Sequence, residues 1–362
     1  MEARVYNFSS GPAALPLAVM EKVQEQLLVY PGVGASVMEI SHRSKTFSAI
    51  HEAAKSGIKQ LLGLSDDYRV LFVPGGATMQ FSMIPMNFLA GKSADYIQCG
   101  TWGDKALKEA KKFGETRIAW SGKAEGYSRM PANTELVLNP DAAYLHFTAN
   151  ETIEGIEFFQ EPESGNVPLI CDASSNFLSK PIPANNYAMI YAGAQKNVGP
   201  SGMAVVIVRQ DLIERAPAGL PVLLDYRVMA ENDSLYNTPP SFGIYIVSLV
   251  TQWLIEEIGG LGKMEAINIE KAKRLYAVID GSGGYYRGHA VPECRSRMNV
   301  TFRLPDETLE ARFVSQAKEA GMHELKGHRS VGGCRASIYN AMPLEGVQAL
   351  CDFMVDFQKN NG

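Results

Sequence analysis

The sequence predicts an α/β protein in two parts, a large domain on a mostly parallel central sheet and a smaller α+β domain. Short runs such as YRVLFVPG, VPLICDAS and AMIYAG are apolar at successive positions, so as strands they bury both faces. Helical patterns separate them, which is the rhythm of a parallel sheet held between helices. The chain is also long: 362 residues exceed what one hydrophobic core usually organises, and the rhythm changes after residue 258.

After the Gly11–Pro12 turn, Val19, Val23 and Leu27 recur every four residues and predict a helix ended by Pro31 and Gly32. A second helix is expected over residues 46–62. YRVLFVPG then reads as a strand running into a helix from Ala77, and ADYIQCG as a strand followed by a helix through residues 104–112. Further strands are expected at RIAW, AAYLHF, VPLICDAS, AMIYAG and MAVVIV, then helices near 243–258 and 263–279. The tail reads strand (MNVTFRL), helix (307–320, stopped at Gly321), strand (CRASIYN), and a helix with Val347, Leu350, Cys351 and Met354 on one face. The expected large domain is 16–258, with 1–15 and 259–362 forming the small one.

Composition narrows the function. The formal net charge is -5 and no basic block occurs, which argues against nucleic acid as a partner. Cys99, Cys171, Cys294, Cys334 and Cys351 are odd in number and widely spaced, with no CxxC pair, so reduced thiols of a cytoplasmic protein are expected and no metal site. No window approaches the roughly 20 apolar residues that span a bilayer, and no membrane partner is expected. Small molecules and further copies of the chain remain.

In open parallel sheets ligands bind beyond the carboxyl ends of the strands. VPLICDASS ends on Asp172, AMIYAGAQKN on Gln195 and Lys196, YRVLFVPGGAT on a Gly75–Gly76 turn that opens a helix. ADYIQCGTW ends beside Trp102, and AAYLHFTANET near Thr152. A lysine in such a crevice is partly desolvated, which lowers its pKa and frees an amine to attack an aldehyde. An aspartate can hold a protonated ring nitrogen, a tryptophan offers a flat apolar face, and amides at a glycine-rich helix start can take a phosphate. Together these describe a site for pyridoxal 5′-phosphate. Taken singly each has a plainer meaning: Lys196 as a solvated turn residue, Asp172 as a cap bonded through Ser174 or Ser175, Gly75–Gly76 as an ordinary turn, Trp102 as core or interface. A nucleotide-binding protein stays open on these residues alone.

Longer stretches carry a resemblance. FSSGPAALP, SVMEISHRSKTF, VLFVPGGATMQF, ANETIEGI, YAGAQKNVGPSG, NTPPSF, RSRMNV and LKGHRSVGGCRASIYNAMPLEGV occur in order over nearly the whole chain. They resemble the phosphoserine aminotransferase family of class V pyridoxal-phosphate enzymes. The resemblance implies fold type I, the aspartate-aminotransferase-like architecture, and a homodimer with active sites at its interface. It implies a reversible ping-pong transamination between L-glutamate and 3-phosphohydroxypyruvate, giving 2-oxoglutarate and O-phospho-L-serine in serine biosynthesis. Some members also use 4-phosphohydroxy-L-threonine in pyridoxine biosynthesis.

By the same resemblance, Lys196 is the Schiff-base lysine and Asp172 the partner of the pyridinium nitrogen. Trp102 stacks on the ring, and Thr152 bonds its 3′-oxygen side. Gly76, Ala77, Thr78 and Gln195 hold the phosphate, with Asn237 and Thr238 reaching it from the other subunit. Some members carry glycine and arginine where Ala77 and Thr78 stand. Arg335 anchors the substrate α-carboxylate. His42, Arg43, His328 and Arg329 receive the distal anion, partly across the interface, and Ser10 is a substrate contact. Other class V enzymes, an alanine–glyoxylate-type aminotransferase or a cysteine desulfurase, would share Lys196 and Asp172. A desulfurase needs a mobile nucleophilic cysteine, and none of the five sits in an obvious flexible, polar loop. A non-catalytic cofactor-binding protein on the same sheet is the remaining alternative.

Overall fold

The computed structural model describes residues 4–362, so residues 1–3 of the expected 1–15 segment lie outside the described residues. Seven strands form the main sheet, in the order Tyr68–Pro74, Met203–Arg209, Met189–Gly193, Leu169–Asp172, Leu145–Thr148, Ala94–Gln98, Thr116–Ser121. Met203–Arg209 runs antiparallel to both neighbours, and every other pairing is parallel. The expected mostly parallel sheet is therefore present.

Apolar runs build the sheet because both faces are covered. Val70, Phe72, Ile97, Phe147, Val205 and Ile207 join one buried cluster, while Leu71, Val73, Tyr96, Ile170, Tyr191 and Val206 join another. Adjacent residues of one strand thus enter different clusters, as the two-residue period of a strand requires.

Helix boundaries follow local chemistry. Ser44 Oγ accepts the Phe47 N–H at 3.1 Å and starts the Lys45–Leu62 helix, leaving His42 and Arg43 in the turn before it. Gly75 (φ 94°) and Gly76 (φ 67°) turn the chain from strand into the Gly76–Phe88 helix through a region closed to most side chains. The first helix differs from expectation: it covers Leu17–Gln26 and stops short of Pro31. Leu28 and Val29 are 81% and 59% exposed, so continuing the apolar stripe would have buried nothing within the chain.

A three-stranded antiparallel sheet pairs Asn299–Arg303 with Arg287–Gly288 and with Cys334–Ser337. Phe302 of this sheet packs with Leu275, Phe313, Leu350 and Met354 from the helices Leu261–Gly281, Glu307–Glu319 and Leu344–Asn361. Phe8 is fully buried in the same cluster, and the neighbouring Tyr6–Asn7 strand pairs parallel with Met322–His323. Among the described residues, no single helix is long and apolar enough to cross a membrane.

Candidate active site

At the carboxyl edge of the main sheet lies a cavity of about 320 Å³. Its wall includes Lys196, Asp172, Trp102, Thr152 and Gln195, together with Gly76, Ala77 and Thr78. Eight residues read from scattered strand ends thus meet around one space.

Lys196 stands just beyond the Met189–Gly193 strand and is 8% exposed, not a solvated turn residue. Its Nζ donates to Thr152 Oγ1 at 2.6 Å and Ser175 Oγ at 2.8 Å. Burial pushes its pKa down to about 8; the Arg335 charge acts in the same direction, and Asp172 and Glu151 act against it. A nucleophilic free amine is therefore accessible near neutral pH.

Asp172 ends the Leu169–Asp172 strand and is 4% exposed. Burial raises its pKa, while bonds from Ser174 and the charge of Lys196 hold it back. Its Oδ1 accepts the Ser174 N–H at 2.9 Å, so it caps a turn and lines the cavity at once. The Trp102 ring has its centroid 5.8 Å from Lys196 Nζ, and its Nε1 is buried without a partner.

These features fit pyridoxal 5′-phosphate. A buried amine meets the need for an imine-forming lysine, and a carboxylate on the same wall meets the need for an anion facing a ring nitrogen. Gly76, Ala77 and Thr78, at the start of the Gly76–Phe88 helix, also line the cavity, and a Cβ built on Gly76 meets no protein atom within 4 Å. A helix start with open space beside it suits a phosphate.

Arg335 donates through Nη2 to Ser10 Oγ at 2.7 Å and through Nη1 to the Thr152 carbonyl at 3.5 Å. It is thereby tied to the residue that holds Lys196. With His328 it lines a smaller adjoining cavity of about 50 Å³. Burial lowers the His328 pKa, and the charges of Arg335, Lys105 and Arg329 lower it further. Arg329 is exposed, as are Arg43, Asn237 and Thr238, and His42 is half-buried. Within one chain these five line neither cavity.

Sequence reasoning missed Ser175 as a partner of the lysine, although DASS places it three residues beyond Asp172. It also missed Asn197, whose Nδ2 donates to the Ser175 carbonyl at 2.8 Å, and the two buried carboxylates Glu151 and Glu154. No cysteine among the described residues lines the main cavity.

The family model for class-V aminotransferases matches residues 5–350. A phosphoserine aminotransferase of Desulfosudis oleivorans is 53% identical over the whole of both chains. The chain belongs to the phosphoserine aminotransferase family of class-V aminotransferases. A solved family member, phosphoserine aminotransferase from Bacillus circulans subsp. alkalophilus, superposes with a TM-score of 0.97 at 52% identity, over 99% of each chain. The pyridoxal-phosphate-bound phosphoserine aminotransferase of Trichomonas vaginalis, at 42% identity, gives 0.91 over 97% of this chain and all of that one. As a class-V aminotransferase the chain is a pyridoxal-phosphate-dependent transaminase, and the architecture is that of the aspartate-aminotransferase-like fold.

Proposed function

We propose that this enzyme moves the amino group of L-glutamate to 3-phosphohydroxypyruvate, releasing 2-oxoglutarate and O-phospho-L-serine, in serine biosynthesis in the cytoplasm. The observation that carries the reading is the Lys196 amine, buried and held by two hydroxyls on the wall that also bears Asp172. The substrates come from the names of relatives at about half identity over the full length.

When bound, pyridoxal 5′-phosphate supplies the electron sink that makes the substrate α-proton removable. Asp172 holds the ring nitrogen by a charge-assisted bond, Trp102 covers the ring face, and Thr152 contacts the 3′-oxygen side. Gly76, Ala77, Thr78 and Gln195 receive the phosphate, completed by Asn237 and Thr238 of a second copy. Lys196 Nζ removes the α-proton and returns it, a role its lowered pKa favours. Arg335 pairs with the α-carboxylate beside Ser10. His328, Arg329, and His42 and Arg43 of the second copy, take the distal carboxylate or phosphate.

A homodimer explains why His42, Arg43, Asn237 and Thr238 lie outside the cavities of one chain. Leu28, Val29, Val33 and Met38 leave an exposed apolar stretch just before His42, suited to burial against a partner. We also propose residues 16–258 as the large domain and 1–15 with 259–362 as the small one, because the cluster containing Phe8 draws its other members from beyond residue 271.

The test is a comparison of 3-phosphohydroxypyruvate with hydroxypyruvate, glutamate being the donor. A large preference for the phosphorylated acceptor is expected, and similar kcat/KM values would overturn the phosphate-reading role. Including 4-phosphohydroxy-L-threonine with 2-oxoglutarate in the same assay determines whether the second substrate is used.

A further inference from the structure

Two buried carboxyl groups stand behind the cavity wall and take no part in the reaction just described. Glu151 and Glu154 are 0% and 3% exposed. Both meet the first turn of the Thr101–Ala110 helix, but in different ways. Glu151 uses both oxygens: Oε2 accepts the Trp102 N–H at 2.9 Å and Oε1 the Gly103 N–H at 2.8 Å. Glu154 uses one: Oε1 accepts from the amide and hydroxyl of Thr101 at 2.9 and 2.5 Å, while Oε2 has no partner.

That asymmetry assigns the charge. Burial raises the pKa of both groups, and the neighbouring Glu154 raises Glu151 further, but it is Glu151 that two backbone amides hold on separate oxygens. Two amide donors on separate oxygens favour the anion at Glu151, whereas Glu154 has an oxygen free to carry a proton. An anion at a helix N-terminus is further stabilised by the helix dipole. The site leaves little slack: a Cβ on Gly100 would lie 2.5 Å from the carboxyl carbon of Glu151.

We infer that Glu151 is a positioning residue, whose carboxylate spans the Trp102 and Gly103 amides and fixes the Trp102 ring over the cofactor site, Glu154 serving only as the acceptor for Thr101. The inference rests on the proposed role of Trp102 as the cover of the ring. A cap that merely stabilised the helix would lower the melting temperature and leave the bound cofactor unchanged. A positioning residue alters the cofactor's own signature.

The test uses the full-length holoenzyme and three variants. Glu151→Gln sets a side-chain N–H against one of two backbone N–H groups. Glu154→Gln can keep its oxygen on Thr101 and put its NH2 at the free position. Gly100→Ala keeps every charge but pushes the Glu151 carboxylate away, and at φ -172° the backbone itself accepts alanine. In Glu151→Gln and Gly100→Ala the visible circular dichroism of the bound cofactor is expected to diminish. The Kd for pyridoxal 5′-phosphate, measured by titrating stripped protein, is expected to rise about tenfold to hundredfold, the cost of a charge-assisted hydrogen bond. Glu154→Gln is expected to match the wild type in both. Wild-type dichroism and Kd in Glu151→Gln, or equal defects in both glutamine variants, would overturn the inference. Should Glu151→Gln fail to fold, Gly100→Ala decides by the same two readouts. Wild-type dichroism and Kd in a further variant, Trp102→Ala, would sink instead the reading on which the inference rests.

Discussion

Lys196 Nζ donates to Thr152 Oγ1 at 2.6 Å, and its two close partners are hydroxyls, not carboxylates. An amine so placed has no full countercharge in contact. Below about pH 8 it is charged in the folded and unfolded chain alike, and the fold bears the cost of burying it. Between pH 8 and the ordinary lysine value only the unfolded chain keeps the proton, so stability rises with pH. Without cofactor, the wild type is expected to gain about 2 kcal/mol more than Lys196→Ala between pH 8 and pH 10. Urea unfolding at several pH values checks this, and parallel profiles for the two proteins would remove the buried-amine account. The same variant is expected to fold and to show no turnover.

Asp172→Asn removes the anion opposite the proposed ring nitrogen while keeping the Ser174 amide bond. Losing one partner of a buried charged pair costs about 3–5 kcal/mol, so the half-reaction with L-glutamate should slow by about two to four powers of ten. Single-turnover absorbance measures it. A loss under tenfold would mean that Asp172 serves mainly as a turn cap.

Arg335→Ala is expected to raise KM for glutamate and for the keto acid together, since both present an α-carboxylate. The size should be that of a charge-assisted hydrogen bond, about tenfold to hundredfold. Ser10→Ala, which removes the acceptor at 2.7 Å from Nη2, should give a smaller change in the same direction. An Arg335→Ala effect confined to one half-reaction contradicts the shared anchor.

Gly155 lies between Glu154 and Ile156 at φ 73°, and an added Cβ would come within 2.7 Å of the Asn299 carbonyl. Gly155→Ala is therefore expected to cost about 1–3 kcal/mol of stability. An unchanged melting temperature would show that the turn relaxes around a methyl group.

The main sheet is legible in the sequence because its strands are buried on both faces and so stand out as apolar runs. Direction is not: MAVVIV runs antiparallel to both neighbours yet has the composition of the sheet's parallel strands, because polarity follows from the connections and not from the side chains. The first helix is over-extended from sequence, since Leu27 and Leu28 continue a stripe whose cover the chain itself does not supply. For Lys196, sequence places the residue at a strand end but leaves its burial open. What resolves it are two hydroxyls 44 and 21 residues away. Glu151 and Glu154 escape notice because ANETIEGI reads locally as a polar turn, and their amide donors come from around residue 102.

The contact between Arg335 and Ser10 joins positions 325 residues apart. During synthesis, every cavity residue from Gly75 to Gly202 has emerged before Arg335 is made, whereas Ser10 must wait for it. A chain ended before Arg335 lacks the guanidinium that ties Ser10 to the Thr152 carbonyl. The cavity wall and the Arg335 contact are thus encoded in separate stretches, and only the nearly complete polypeptide can join them.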